Sequence, residues 1–188
     1  MKRQPVTTST TFKTMATALF LFAIPALAHA GDIDDCRSKE QVPNEARLKA
    51  CTAVIDGKQT STTDTAYAYY KRAMVGSANP KADQALVMAD VSKAIELDPK
   101  LMEAYAFRAL GYNRAMQYDK AIADLTMAIE LAPERWGLYS LRAMVEAQKK
   151  DTKAAIADFK AALDRNPPAT SAEMIRQRLT KLEQGTAQ

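Results

Sequence analysis

Histidine is almost missing from this chain: its 188 residues hold one, His29, and that one falls in a stretch that reads as a removable leader. Without it the chain cannot assemble a Ser/His/Asp or Cys/His nucleophile system, nor a histidine-based metal site. Glycine is scarce too, with six residues, and none is grouped into a phosphate-cradling loop. No paired-carboxylate motif, metal-ligand cluster or nucleophile motif stands in for them. The sequence therefore points to no catalytic residue, no metal and no cofactor. Cysteine is limited to Cys36 and Cys51, which are not spaced as CxxC, so neither a thioredoxin-type redox motif nor haem attachment is indicated. After residue 30 no apolar run is long enough to span a membrane, so no membrane insertion is expected of the mature chain.

The N-terminus carries Lys2, Arg3 and Lys13 with no acid among them, then the mostly apolar run 15–24, Pro25, and Ala28-His29-Ala30. That order matches a signal peptide over 1–30, cut near Ala30-Gly31. As an uncleaved anchor the run is too short for a hydrocarbon core of ~30 Å, and Pro25 interrupts it. The residues before Cys36 are Ile33-Asp34-Asp35, which is no lipobox, and there is no twin-arginine motif. The leader takes three of the 26 basic residues with it, leaving 23 against 22 acids, a net +1. With that balance and no basic stripe interleaved with aromatics, nucleic acid is not an expected partner. In an exported chain an even pair of cysteines forms a disulfide more often than not. One from Cys36 to Cys51 would close a loop of about 15 residues, worth roughly 3 kcal/mol by chain entropy. Free thiols and intermolecular pairing are the other two readings.

What the chain does have is a period. Ile95-Glu96-Leu97-Asp98-Pro99 returns as Ile129-Glu130-Leu131-Ala132-Pro133 and more weakly as Leu163-Asp164-Arg165-Asn166-Pro167, which sets the prolines 34 residues apart twice. Upstream, Ala89-Asp90, Ala123-Asp124 and Ala157-Asp158 match, each followed four residues on by Ala94, Ala128 or Ala162. Farther upstream Tyr69, Tyr105 and Tyr139 each precede Arg72-Ala73, Arg108-Ala109 or Arg142-Ala143. A fixed period of this length marks a solenoid.

Residues 102–135 resemble a tetratricopeptide repeat, with Tyr112, Ala121, Leu125, Ala128 and Pro133 at the signature places. Residues 136–169 match through Ala155, Phe159, Ala162 and Pro167 but carry Glu146 where the family has Tyr. Residues 66–101 match through Val87, Val91, Ala94 and Pro99, with two extra residues around Ser77–Pro80 in the inter-helix turn. The resemblance implies an all-α, right-handed α-solenoid of antiparallel helix pairs. Three units span 66–169, and a degenerate N-terminal unit with a polar linker, Lys58–Thr65, fills 31–65. Residues 170–188 supply a capping helix, over about 171–184, with Thr170 or Ser171 as its cap. Segment 33–57, with Asn44–Asp56 as a second helix, resembles the Cys-containing segment that precedes such repeats in exported proteins of Gram-negative bacteria. There a disulfide would tie the two helices together.

Arg72, Arg108 and Arg142 pair by register with Asp90, Asp124 and Asp158. One such pair would suit an active-site clamp. Its recurrence in every unit argues for a packing device, because a catalytic site is needed once. By the same resemblance the first helices line a concave groove that holds a protein or peptide partner. Met74, Leu110 and Met144 take equivalent places there, with Tyr70, Glu103, Ala106, Asn113, Arg114, Ser140 and Gln148 as neighbours. The alternative is that these residues belong to the core or lie under the C-terminal helix. Family members that bind the C-terminal carboxylate of heat-shock chaperones use a Lys/Asn/Arg clamp. Here Tyr70, Met74, Phe107, Gly137 and Leu141 occupy those places, so an acidic-tail ligand is not expected. Trp136 is placed to bury its ring between units. The implied function is a non-catalytic protein–protein interaction module, periplasmic or secreted once the leader is gone. The alternative is a structural accessory subunit of an envelope assembly or secretion complex.

Overall fold

The structure, a computed structural model, describes residues 30–38, 43–57 and 60–186. The signal-peptide segment falls outside these residues apart from its last one. The described residues form nine helices and no strand: α1 (Ala30–Arg37), α2 (Asn44–Asp56), α3 (Thr62–Gly76), α4 (Gln84–Leu97), α5 (Met102–Arg114), α6 (Tyr118–Leu131), α7 (Trp136–Gln148), α8 (Thr152–Leu163) and α9 (Ala169–Thr186). Each packs chiefly on its neighbours in sequence, α3 against α4, α5 against α6, α7 against α8, with α4 on α5, α6 on α7 and α8 on α9 joining the pairs. The result is an all-α solenoid of helix pairs, in which no unit buries its apolar face alone.

Small residues set the approach distance of the helices. Ala73, Ala109 and Ala143 on the first helices and Ala94, Ala128 and Ala162 on the second are fully buried. Larger groups, among them Leu125, Phe159 and Val91, fill the space between pairs. The repeat prolines lie just beyond the ends of α4 and α6, where Asp98 and Ala132 close the helices. A ring nitrogen without a proton cannot continue the ladder.

Within units two and three the turn from first to second helix uses one device twice. The Gln117 N–H donates to the Tyr112 carbonyl at 2.9 Å and the Met116 N–H to that of Asn113 at 2.9 Å. Asp151 bonds back to Glu146 and Lys150 to Ala147 in the same way. This is a Schellman closure, and it holds Met116 at φ 57 and Lys150 at φ 70, a region that favours glycine.

Two expected boundaries are corrected. The linker is shorter than Lys58–Thr65, because Ser61 caps α3 by accepting a hydrogen bond from the Asp64 N–H at 3.0 Å, which draws Thr62–Thr65 into the helix. The C-terminal helix starts earlier than 171, so Thr170 and Ser171 lie inside it. The Ala172 N–H donates to the Pro168 carbonyl at 2.8 Å, since proline's fixed φ suits the opening of a helix. At the other end, Cys36 and Cys51 form a disulfide with a Cα–Cα distance of 4.8 Å. With Val54, Ala50 and Ala68 they make a small separate core that fastens α1 and α2 onto α3.

Candidate functional site

The three arginine–aspartate pairs are bidentate. Arg72 donates to Asp90 at 2.7 and 2.8 Å, Arg108 to Asp124 at 2.8 and 2.8 Å, and Arg142 to Asp158 at 2.6 and 2.9 Å. Each guanidinium also lies over the tyrosine three residues before it, at 5.3 to 5.9 Å. The hydrogen bond to aspartate raises each arginine above its ordinary pKa. In units two and three the spare Nη1 reaches back to the preceding unit, to Ser92 at 3.4 Å and Thr126 at 2.9 Å. Each pair fastens the two helices of its unit, and the later two also lock neighbouring units.

On the other side of the first helices lies an open cavity of about 630 Å³. α3 contributes Tyr70, α5 contributes Met102, Glu103, Ala106, Phe107 and Leu110, and α7 with its approach contributes Trp136, Gly137, Leu138 and Leu141. Residues 102, 106 and 110 recur every four positions on α5, so they form one stripe along it. Tyr67, Tyr70 and Phe107 stand edge to face with ring centres 5.8 and 6.1 Å apart. Lys71 Nζ sits 5.3 Å from the Tyr67 ring and 5.9 Å from that of Tyr70. Burial, then Glu103, then Tyr67 raise the Tyr70 pKa, so it stays a neutral phenol, and its hydroxyl points to Met74 Sδ at 3.6 Å. Arg135 and Glu103 face each other at 3.9 Å at the rim. Glu134 and Arg135 are the charges there that sequence reasoning missed, with Met102 and Leu138 from the floor. Met102 and Leu138 sit one helical turn before Ala106 and Leu141, whereas Glu134 and Arg135 lie just before α7 starts, outside the helical register. Trp136 is half-buried, packs against the core that runs through the units, and also lines the cavity.

The ten groove candidates are spread over more than one cavity. Tyr70, Glu103, Ala106 and Leu110 line this cavity. Met144 and Gln148 line a second one, about 350 Å³, walled on its far side by Arg178, Lys181 and Leu182 of α9. Arg114 faces a cleft against Gln84 and Met88 of α4. Met74, Asn113 and Ser140 line none of the three, and Asn113 is half-buried with its Oδ1 lacking a hydrogen-bond partner among the described residues. Glu146, at the departure from the family pattern, is buried beside the Arg142–Asp158 pair, and its Oε2 has no hydrogen-bond partner among the described residues. Burial, then the charge of Asp158, lifts its pKa from 4.5 to about 7, against the pull of Arg142. No helix among the described residues is long and apolar enough to cross a membrane.

The tetratricopeptide repeat family model matches residues 109–180. No curated protein matches the sequence significantly. Among solved structures, MamA aligns with 21% identity over 65% of this chain and 68% of its own, at a TM-score of 0.57. The first tetratricopeptide domain of Spaghetti (RPAP3), bound to an HSP90 peptide, aligns with 19% identity over 67% and 96%, at 0.60. The TPR2B domain of yeast Sti1, in complex with an Hsp70 peptide, aligns with 24% identity over 66% and 98%, at 0.55. At such identities the likeness is one of fold. The tetratricopeptide repeat match thus covers residues 109–180, and the chain folds as an all-α solenoid of helix pairs like these structures.

Proposed function

We propose that this chain is a non-catalytic interaction module that holds an apolar or mixed peptide segment of a partner protein in its concave cavity. The supporting observation is that cavity: about 630 Å³, lined by the first helices of all three units and floored by Tyr70, Phe107, Leu110, Leu141 and Trp136. Aromatic and aliphatic side chains in a preformed concavity supply binding energy, and a few rim charges such as Glu103 and Arg135 orient the ligand. Related folds with peptides bound agree with this use. An acidic tail is a poor fit, because Tyr70, Met74, Phe107, Gly137 and Leu141 supply no cation. The module works in the periplasm or outside the cell. The signal-peptide pattern supports that, as does a disulfide that needs an oxidising compartment to persist.

Two measurements test these statements. Intact mass of the protein recovered from the periplasmic fraction should correspond to a chain starting at Gly31; a full-length mass there would overturn the cleavage reading, and recovery from the cytoplasmic fraction alone would overturn the export reading. A partner copurified with the wild-type chain should be lost from a Leu110→Glu, Leu141→Glu variant whose helical content is unchanged. Retention of the same partner would refute the groove as its seat.

A further inference from the structure

The cleft between α7, α8 and α9 differs in chemistry from the groove beside it. Met144, Phe159 and Leu182 give it an apolar floor, and Arg178, Lys181 and Gln148 stand around it. No acidic side chain among the described residues lines it. Arg178 and Lys181 are exposed, lie one turn apart on the same face of α9, and take part in none of the ion pairs formed among the described residues. The acids nearest in sequence are engaged elsewhere, Glu183 with Lys160 at 3.0 Å and Glu173 with Arg176 at 4.0 Å. The cleft continues the groove: Leu141 lines one and Met144 the other, three residues or about 5 Å apart along α7.

We infer that this cleft takes the C-terminal end of the bound chain, an apolar last residue together with its free carboxylate. The inference rests on the groove reading above. A terminal residue carries its carboxylate on the same α-carbon as its side chain, so it fills the apolar floor and meets two cations within about 350 Å³. An internal Asp or Glu puts its charge at the tip of its own side chain and leaves the floor empty. α9 then does more than cap the solenoid: it closes the groove at one end and sets the direction in which the ligand lies. The carboxylate anchor sits on α9, away from Tyr70 and Phe107.

The test uses the mature chain and an N-acetylated octapeptide of alanine, leucine and phenylalanine ending in leucine, made as the free acid and as the amide. Fluorescence of Trp136, the single tryptophan, reports the groove, and the methyl resonance of Met144 reports the cleft. The acid should bind about tenfold tighter than the amide, as charge-assisted hydrogen bonds allow, and should move Met144 more. In an Arg178→Gln, Lys181→Gln variant acid and amide should bind alike. Equal affinities in the wild type, or a preference that survives in the variant, would overturn the terminal-carboxylate inference while a Trp136 response upholds the groove. A missing Trp136 response to both peptides would overturn the groove reading and this inference with it. Decanoate moving Met144 where the acid peptide does not would assign the cleft to small amphiphiles and overturn the inference.

Discussion

Glu146 sets a carboxylate against an ion pair that is already complete. Arg142 spends three of its donors on Asp158 and Thr126, so Glu146 gains only a partial counter-charge, and burial favours its neutral form. The sign follows from the raised pKa. Below about pH 4.5 the group is protonated folded and unfolded alike and contributes nothing. Between 4.5 and about 7 the unfolded chain ionises while the folded one keeps its proton, so stability falls as pH rises. Above about 7 the folded chain carries the whole cost. Glu146→Gln should therefore raise stability at pH 8 by about 1–2 kcal/mol, solvent screening taken into account, and change it little at pH 4.5. Melting temperatures of both proteins across that range check it; parallel curves would contradict it. Met116 offers a second adjustment at this scale. Its φ of 57 costs a residue with a Cβ about 1 kcal/mol, so Met116→Gly should shift the urea midpoint upward. The strain at Met116 and Lys150 was not legible in the sequence, since neither residue is the glycine or asparagine that announces a left-handed turn.

At the scale of helices, the arginine pairs rank by how much water reaches them. Arg108 and Asp124 have side chains 19% and 8% exposed, Arg72 and Asp90 28% and 19%. Arg108→Ala strands a buried aspartate and breaks the link to Ser92, so about 3 kcal/mol should be lost. Arg72→Ala should cost clearly less. Chemical denaturation of the two variants measures the order, and equal losses would deny that the inter-unit link matters. Reducing the Cys36–Cys51 disulfide should speed amide exchange in α1 and α2 before any change reaches α5–α8, because those two helices share a core of their own. Helix positions were legible wherever the repeat spoke, as with the prolines after α4 and α6. They were misread where local chemistry overrode composition. Thr62–Thr65 looks like linker, yet Ser61 caps it into α3. Pro168 looks like a stop, yet it starts α9.

At the scale of the whole molecule, the concave face was legible because a 34-residue period fixes which side of each first helix turns inward. That register places Tyr70, Ala106, Leu110 and Leu141 along one cavity. The separation of Met144 and Gln148 into a cleft of their own was not legible, because it depends on where α9 docks, and no repeat constrains α9. Arg114 escaped for a related reason: it sits at the end of α5, where the chain is already turning away. On the proposed function, the concave face and not the outer helices holds the partner. Site-specific photocrosslinking in intact envelopes tests it most directly, with the photoreactive residue at Ala106 inside the cavity or at Met127 on the outer helix α6. One crosslinked partner band is expected from Ala106 that disappears in the Leu110→Glu background, and none from Met127. The same band from both positions, or from Met127 alone, would contradict it.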